Sequence, residues 1–302
     1  MTNPVTLDTG RTAPTQGRPA GSTVITPGKA ELNPRRYQIR RRRLSAVLSL
    51  LPPVVLLVVW QLAAMNDLID VRFFPPPTEI AESARELISS GALFDHVAAT
   101  MNRVLLGYVP GVVLGIGFGL LLGTLPIANA IFRTSVTGAY TIPKLGIFPL
   151  LLLIFGVGET SKVLLVGMTV FLLVTIATAD ACHAIPSSMF DVAKAFRANY
   201  FRKLFEIVLP AALPPIFTSL RLAMGMSILV VIATEFVAAD QGVGYLIWHS
   251  WSLFQPSPMY VGIVVSALLG VISTAVIGVV QRLCTPWART RRRSRLRFRK
   301  AR

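Results

Sequence analysis

The sequence predicts an all-α membrane protein with six transmembrane helices, on three observations. Hydrophobic residues make up 53% of the 302-residue chain and charged residues only 15%, with a mean hydropathy of +0.62, which is far more apolar than a soluble domain of this length. Apolar runs of about twenty residues recur along it, each long enough at ~1.5 Å per residue to cross the ~30 Å hydrocarbon core. The cations are gathered rather than spread: of 30 Lys and Arg, nine precede residue 44, five lie between Lys194 and Arg221, and ten lie from Arg282 to Arg302.

In chain order, residues 1–43 read as a disordered basic tail, because the stretch to about residue 34 is rich in Thr, Pro and Gly and has no apolar periodicity with which to bury a core. A first span follows over residues 44–64, with a kink expected at Pro52 and Pro53. No cleaved signal peptide is expected, since some forty residues precede this run and it is long enough to remain as an anchor. Residues 67–103 hold six acids against three arginines, and Pro75, Pro76, Pro77 and Thr78 before Glu79 read as a turn into an amphipathic helix. Further spans are expected over 104–125, 131–155, 163–181, 216–237 and 260–283, which makes 44–283 the membrane domain and 284–302 a second basic tail.

Topology comes from the cations. Lys and Arg beside a span are retained in the cytoplasm, so both tails lie inside, and six spans then place the segment carrying Lys194, Arg197, Arg202 and Lys203 on the same side. Five or seven spans would leave one basic tail outside. The net charge of +16 is therefore read as membrane flanks and not as a nucleic-acid partner. Cys182 and Cys284 have no CxxC or Cys/His spacing, so neither a metal site nor a disulfide framework is expected. His96, His183 and His249 are scattered without a nucleophile at useful spacing, and no catalytic residues are expected.

Inside the membrane, Gly107, Gly111, Gly115, Gly119 and Gly123 recur every fourth residue on one helix face and form a groove for close approach of another backbone. In the third span Pro143, Lys144, Gly146 and Pro149 interrupt the helical ladder, which in a membrane is tolerated where the backbone lines a cavity. Lys144 and Pro143 are candidate pathway residues, Lys144 either facing an anionic solute or snorkelling to the interface. Glu235 in the fifth span is either a cavity carboxylate or a residue of the outer interface beside Asp240.

Between the fourth and fifth spans, Ser188 with Asp191 three residues on resembles a capping box, which starts a short helix carrying Ala193, Ala195 and Phe196 on an apolar face. This segment, about residues 186–214, resembles the coupling loop of binding-protein-dependent ABC importer permeases: Glu-Ala-Ala, three residues, Gly, nine residues, Ile-x-Leu-Pro. Asp191, Val192 and Ala193 fall on the first part, Arg197 on the glycine, and Ile207, Leu209 and Pro210 on the close. Ala198 ends the helical stretch. Arg197 replaces the usual glycine, and because Arg is the costlier residue in a left-handed turn, the bend is expected to move to Asn199.

Over residues 44–283 the chain also resembles the nitrate, sulfonate and taurine branch of these permeases, through Phe74 to Pro77, Phe155 to Lys162, and Gly242 to Trp248. The resemblance implies an importer-permease type I fold in a bacterial inner membrane. It further implies a second copy of the chain, two cytoplasmic ABC ATPase subunits, an extracytoplasmic solute-binding protein and a small solute such as a sulfonate, taurine or nitrate, with the residues from Asp191 to Pro210 as the ATPase contact. The sequence contains no G-x-x-x-x-G-K-[ST], so ATP hydrolysis and its cofactors are expected in the partner and no cofactor in this chain. A stand-alone secondary transporter or channel is the alternative, and a membrane-anchored nucleic-acid binder a third.

Overall fold

The computed structural model describes residues 34–289; the expected tail over residues 1–33 and the basic run 290–302 lie outside them. The described chain is built from helices: α1 (Pro34–Met65), α2 (Pro77–Ser89), α3 (Ala92–Thr124), α4 (Pro126–Thr141), α5 (Lys144–Phe155), α6 (Glu159–His183), α7 (Ser187–Ala195), α8 (Tyr200–Lys203), α9 (Leu209–Ala238), α10 (Val243–Ser252) and α11 (Pro256–Cys284). A π-helical turn, Leu204–Val208, joins α8 to α9, and a 3-10 turn follows α11. By contacts the chain divides after Val59, with the residues from Trp60 onward forming their own unit.

Among the described residues, four helices are long and apolar enough to cross a membrane: α3, α6, the run Tyr200–Ala238 and α11. The pair α4 and α5 passes the same test as one broken span bent by 92°, and α1 carries a shorter apolar stretch, Leu51–Met65. These six apolar units follow the expected order, with three differences. Helix α1 begins at Pro34 and not near residue 44, so the arginines from Arg35 to Arg43 continue a helix instead of belonging to an irregular tail. Helix α3 begins at Ala92, so Asp95, His96 and Arg103 share its axis with the glycine stripe. The third span is two helices, because Pro143 lacks an N–H and disfavours helical geometry at Ile142, whose φ of −64° and ψ of 132° are extended.

The glycine stripe decides how the rest packs. A Cβ placed on Gly107 would lie 2.7 Å from Val163 O, one on Gly111 2.8 Å from Gly167 O, one on Gly115 2.9 Å from Val174 Cβ, and one on Gly119 2.5 Å from Thr178 Cβ. The opposing side chains of α6 are Val166, Val170, Val174, Thr178 and Cys182, which also recur every fourth residue. Both stripes ascend together, so α3 and α6 are parallel and their backbones nearly touch, as small-residue faces permit in a membrane. Helix α9 packs across the pair, with Ile216, Ala223, Ile228 and Val231 in the same buried cluster as Val104, Leu165 and Val170. The Tyr108 hydroxyl fixes its height by donating to Leu220 O at 2.9 Å.

Gly117 lies on α3 outside the stripe, and a Cβ there meets nothing. Gly111→Ala is expected to lower stability by about 1–3 kcal/mol, the usual cost of overpacking, whereas Gly117→Ala leaves it unchanged or slightly raised through helix propensity. Thermal unfolding of the two variants in detergent checks the contrast.

Candidate functional site

Two regions carry the chain's chemistry, at opposite ends of the α3–α6–α9 core. The first is the loop from α6 to α9. Helix α7 runs from Ser187 to Ala195, one residue earlier than the capping pattern places it. It ends in a Schellman geometry: Ala198 N–H donates to Ala193 O at 3.0 Å, and Arg197, at the position after the cap, has a φ of +48°. The expected shift of the bend to Asn199 does not occur. Asn199 is extended and instead caps α8, its side chain accepting from Arg202 N–H at 2.8 Å. The left-handed residue must be the one whose successor can reach back to Ala193, and the register gives that place to Arg197 whatever its side chain.

The expected apolar face of α7 divides. Ala193 is 4% exposed and packs inward, while Phe196 is 79% exposed and Ala195 and Arg197 also face out. Phe196 does not stand alone: Met189, Tyr200, Phe201 and Phe205 are exposed on the same loop, and the two phenylalanines after Tyr200 are residues that the motif reading passed over. Val208 is buried, with Ile207, Leu209 and Pro210 half-buried, so the Ile-x-Leu-Pro segment anchors the loop to α9. Lys203 Nζ lies 4.8 Å from the Phe190 ring. Beneath the loop a cavity of about 320 Å³ is lined by Gly123, Cys182, Phe190, Tyr200 and Lys203 among others.

The second region is an ionic cluster at the far end of the core. Arg103 occupies the glycine stripe's register one turn before Gly107, and Lys162 occupies the α6 stripe one turn before Val166, so two cations face each other where the groove ends. Glu159, in the first turn of α6, accepts from both: from Arg103 Nε at 2.5 Å and Nη2 at 2.9 Å, and from Lys162 Nζ at 2.8 Å. Arg103 Nη1 also donates to Glu235 Oε1 at 2.6 Å and to Gln241 O at 2.6 Å. The Glu235 side chain is 0% exposed and that of Arg103 7%, whereas that of Glu159 is 59% exposed.

Glu235 is thus fully buried within the protein. It accepts from Thr100 Oγ1 at 2.9 and 3.0 Å and from Gly244 N–H at 2.8 Å, which leaves a carboxylate in packed protein with each oxygen bonded. Gly242, with φ +130°, lies so close that any Cβ there would run into the Glu235 carboxylate. Thr100 Oγ1 in turn accepts from Val243 N–H at 2.8 Å, and His96 Nδ1 from Gly242 N–H at 3.2 Å. The cluster therefore fastens α3, α6, α9 and the turn into α10 to one another. A cavity of about 600 Å³ opens beside it, lined by Arg103, Glu159, Lys162 and the turn Val237 to Gln241.

Of the other pathway candidates, Pro143 is exposed at the break between α4 and α5 and Lys144 is half-buried beside it. Lys144 Nζ donates to Tyr140 O and sits 4.3 Å from the Tyr140 ring centre, so its cation is held by the helix before the break. Arg221 was counted in sequence with the cytoplasmic cations, yet it lies twelve residues inside α9. It faces Gly278 of α11, and its buried Nε finds no acceptor among the described residues. The apolar run around it, residues 216–237, was the available signal.

An all-helical core with a glycine-packed parallel pair, a broken span and a short helix slung between two spans is the architecture of a polytopic membrane protein. The comparisons place it further. Residues 111–285 match the model of the family described as "Binding-protein-dependent transport system inner membrane component", and the chain belongs to that family. It is 30% identical over 247 residues, 82% of this chain and 90% of the relative, to the putative aliphatic sulfonates transport permease protein SsuC of Bacillus subtilis. It is 29% identical to the taurine transport system permease protein TauC of Escherichia coli, over 77% of this chain and 86% of that one. With the nitrate import permease protein NrtB of Leptolyngbya laminosa the identity is 27%, over 77% of this chain and 85% of that one.

Among solved structures, an inward-facing conformation of the MetNI methionine ABC transporter superposes with a TM-score of 0.57 at 20% identity, covering 64% of this chain and 96% of that one. At that identity the likeness speaks for the fold. Family membership makes the chain a multi-pass inner-membrane permease subunit of an ABC importer, and the reading as a stand-alone transporter or channel is set aside.

A left-handed arginine costs about 1–2 kcal/mol more than glycine. Arg197→Gly should therefore raise the stability of the α7 loop by about 1 kcal/mol, seen as slower hydrogen exchange of the Ala198 amide.

Proposed function

We propose that this permease carries a small oxyanion, in the class of sulfonates, taurine and nitrate, into the cell. In this reading two copies of the chain pair, two cytoplasmic ABC ATPase subunits drive them, and an extracytoplasmic binding protein delivers the solute. Both termini and the α7 loop are cytoplasmic, in keeping with the cation blocks at residues 35–43, 194–203 and 282–302, and membrane lipids solvate the spans. The chain itself takes no cofactor and hydrolyses no ATP. The pairing of copies rests on the family resemblance.

The ATP-driven part is carried by one observation, the loop from α6 to α9. A helix of nine residues stopped sharply at Arg197, with Met189 on it and Phe196, Tyr200, Phe201 and Phe205 after it, all exposed, makes the loop an apolar knob on a surface that water would otherwise disfavour. Such a knob fits a cleft on a soluble partner. It hangs directly between α6 and α9, so force applied to it acts on both.

The anionic charge of the solute is supported by the names of the relatives and by the cations of the spans. Arg103 and Lys162 share Glu159, and Arg133 pairs with Asp180 at 2.8 Å. Arg221 has no such partner among the described residues, and an arginine at that depth is costly unless it meets water or an anion. Lys144 likewise has no carboxylate partner among the described residues, its ammonium donating to Tyr140 O beside the Tyr140 ring.

Replacing the exposed Phe196 and Phe201 together by Lys is expected to abolish co-purification of the ATPase while membrane insertion is unchanged; retention of the ATPase would refute the docking assignment. Arg221→Gln is expected to raise the KM for uptake by roughly ten- to a hundredfold, the equivalent of one lost charge-assisted hydrogen bond. Uptake kinetics with taurine, ethanesulfonate and nitrate offered in turn measure it, and an unaltered KM for the solute carried would exclude Arg221 from the pathway.

A further inference from the structure

The ionic cluster at the far end joins the same two helices that the α7 loop joins at the near end. Helix α6 enters the loop after His183 and has Glu159 at its other end; α9 leaves the loop and has Glu235 one turn from its other end. Both carboxylates are bound by the one guanidinium of Arg103. The same guanidinium donates to Gln241 O in the turn that borders the 600 Å³ cavity. Just after the turn, Gly242 and Val243 N–H donate to His96 Nδ1 and Thr100 Oγ1 on the Arg103 helix, and Gly244 N–H donates to Glu235 Oε2.

We infer that Arg103 is a positioning residue through which movement at the α7 loop reaches the outer turn from Val237 to Gln241, its bond to Glu159 being the limb that carries the movement. The inference rests on the importer reading above. The two limbs differ physically. Arg103 and Glu235 are buried, their side chains 7% and 0% exposed, and a pair so buried with each carboxylate oxygen bonded is a fixed hinge. Glu159 is 59% exposed and opens on the cavity, so water can solvate it when its bonds lengthen. It is also shared with Lys162, whose ammonium can hold the carboxylate while Arg103 moves. The limb on α6 can therefore exchange partners without stranding a buried charge, whereas the limb on α9 cannot.

An ion pair that only stabilised the fold would be replaceable at a cost in stability alone. A positioning residue makes a different demand: ATP turnover in the partner must alter the exposure of the outer turn, and must fail to do so when the α6 limb is cut. The experiment uses the full chain assembled with its ATPase subunits in proteoliposomes, with Cys182 and Cys284 replaced by Ala and a single reporter introduced as Asp240→Cys. Labelling by a membrane-impermeant maleimide is followed with and without ATP and vanadate. Glu159→Gln removes the charge on the α6 limb but leaves Arg103 paired with Glu235, so the core retains its buried pair.

In the parent, ATP and vanadate are expected to change the labelling rate of Asp240→Cys. In Glu159→Gln that change, per ATP hydrolysed, is expected to shrink about tenfold, within the usual range of coupling between distant sites, and Glu159→Asp is expected to restore part of it. If Glu159→Gln lowers yield or thermal stability but its labelling responds to ATP as the parent does, Arg103 is merely structural and the inference is wrong. If the parent binds its ATPase yet its labelling ignores ATP, the inference also fails. If no ATPase binds the parent, the importer reading fails first.

Discussion

Close approach of α3 to α6 is the constraint from which the rest of the structure follows. Without a hydrophobic driving force between helices in lipid, association depends on how near the backbones come and on which polar groups the contact can satisfy. Five glycines in register leave no side chain on one face of α3, and the β-branched residues of α6 fill the groove from the other side. Because the two periods are equal, a slip of less than a full turn would drive Val or Thr side chains into backbone. The pairing is fixed in register, and that register carries Arg103 opposite Lys162 and sets Glu159 between them.

That placement explains how four charges survive at the end of an apolar core. Taken singly, each would carry a large desolvation penalty. Taken together, two cations and two carboxylates neutralise one another, and Thr100, Gly244 N–H and Gln241 O complete the hydrogen bonding of the buried members. Gly242 is required at the same place for a steric reason, since its missing Cβ is where the Glu235 carboxylate lies. Two of the three segments that resemble the importer family outside the coupling loop are thus not independent: Glu159 and Lys162 of one and Gly242 and Gly244 of the other meet through Arg103 and Glu235.

The spans, their order and the glycine face were legible in the sequence, because length, hydropathy and a four-residue period are local properties. So was the short helix α7, which starts within a residue of its capping pattern. The bend at Arg197 was misjudged by weighing one residue's conformational cost, about 1–2 kcal/mol, against none; the hydrogen bond of Ala198 to Ala193, fixed by helix register, outweighs it. The ionic cluster was missed for a different reason. Glu235 and Arg103 are 132 residues apart, and no local pattern joins them. The available clue was periodic: Arg103 stands four residues before Gly107 and Lys162 four before Val166, so each cation belongs to a stripe already known to face another helix. Reading the stripe one turn further would have shown that these charges point inward.

Apolar residues of the same volume could fill the space of a buried ion pair with equal or greater stability, so the cluster needs a reason beyond holding the fold. Specificity of arrangement supplies one. A glycine groove fixes register along the helix axis but resists rotation and splaying weakly, because backbone-to-backbone contact has little directional preference. Charge-assisted hydrogen bonds do have it. Arg103 presents a planar fork, and its Nε and Nη2 grip one carboxylate while Nη1 grips the other. Only one relative orientation of α3, α6 and α9 satisfies all three donors. With the near ends of α6 and α9 tied by the α7 loop and their far ends tied by one guanidinium, the two helices form a closed frame. In a closed frame a displacement at one end is felt at the other, whereas two helices joined at one end alone could absorb it by splaying apart. In a fold whose solvent gives no hydrophobic restoring force, that difference is what a buried arginine contributes and a leucine could not.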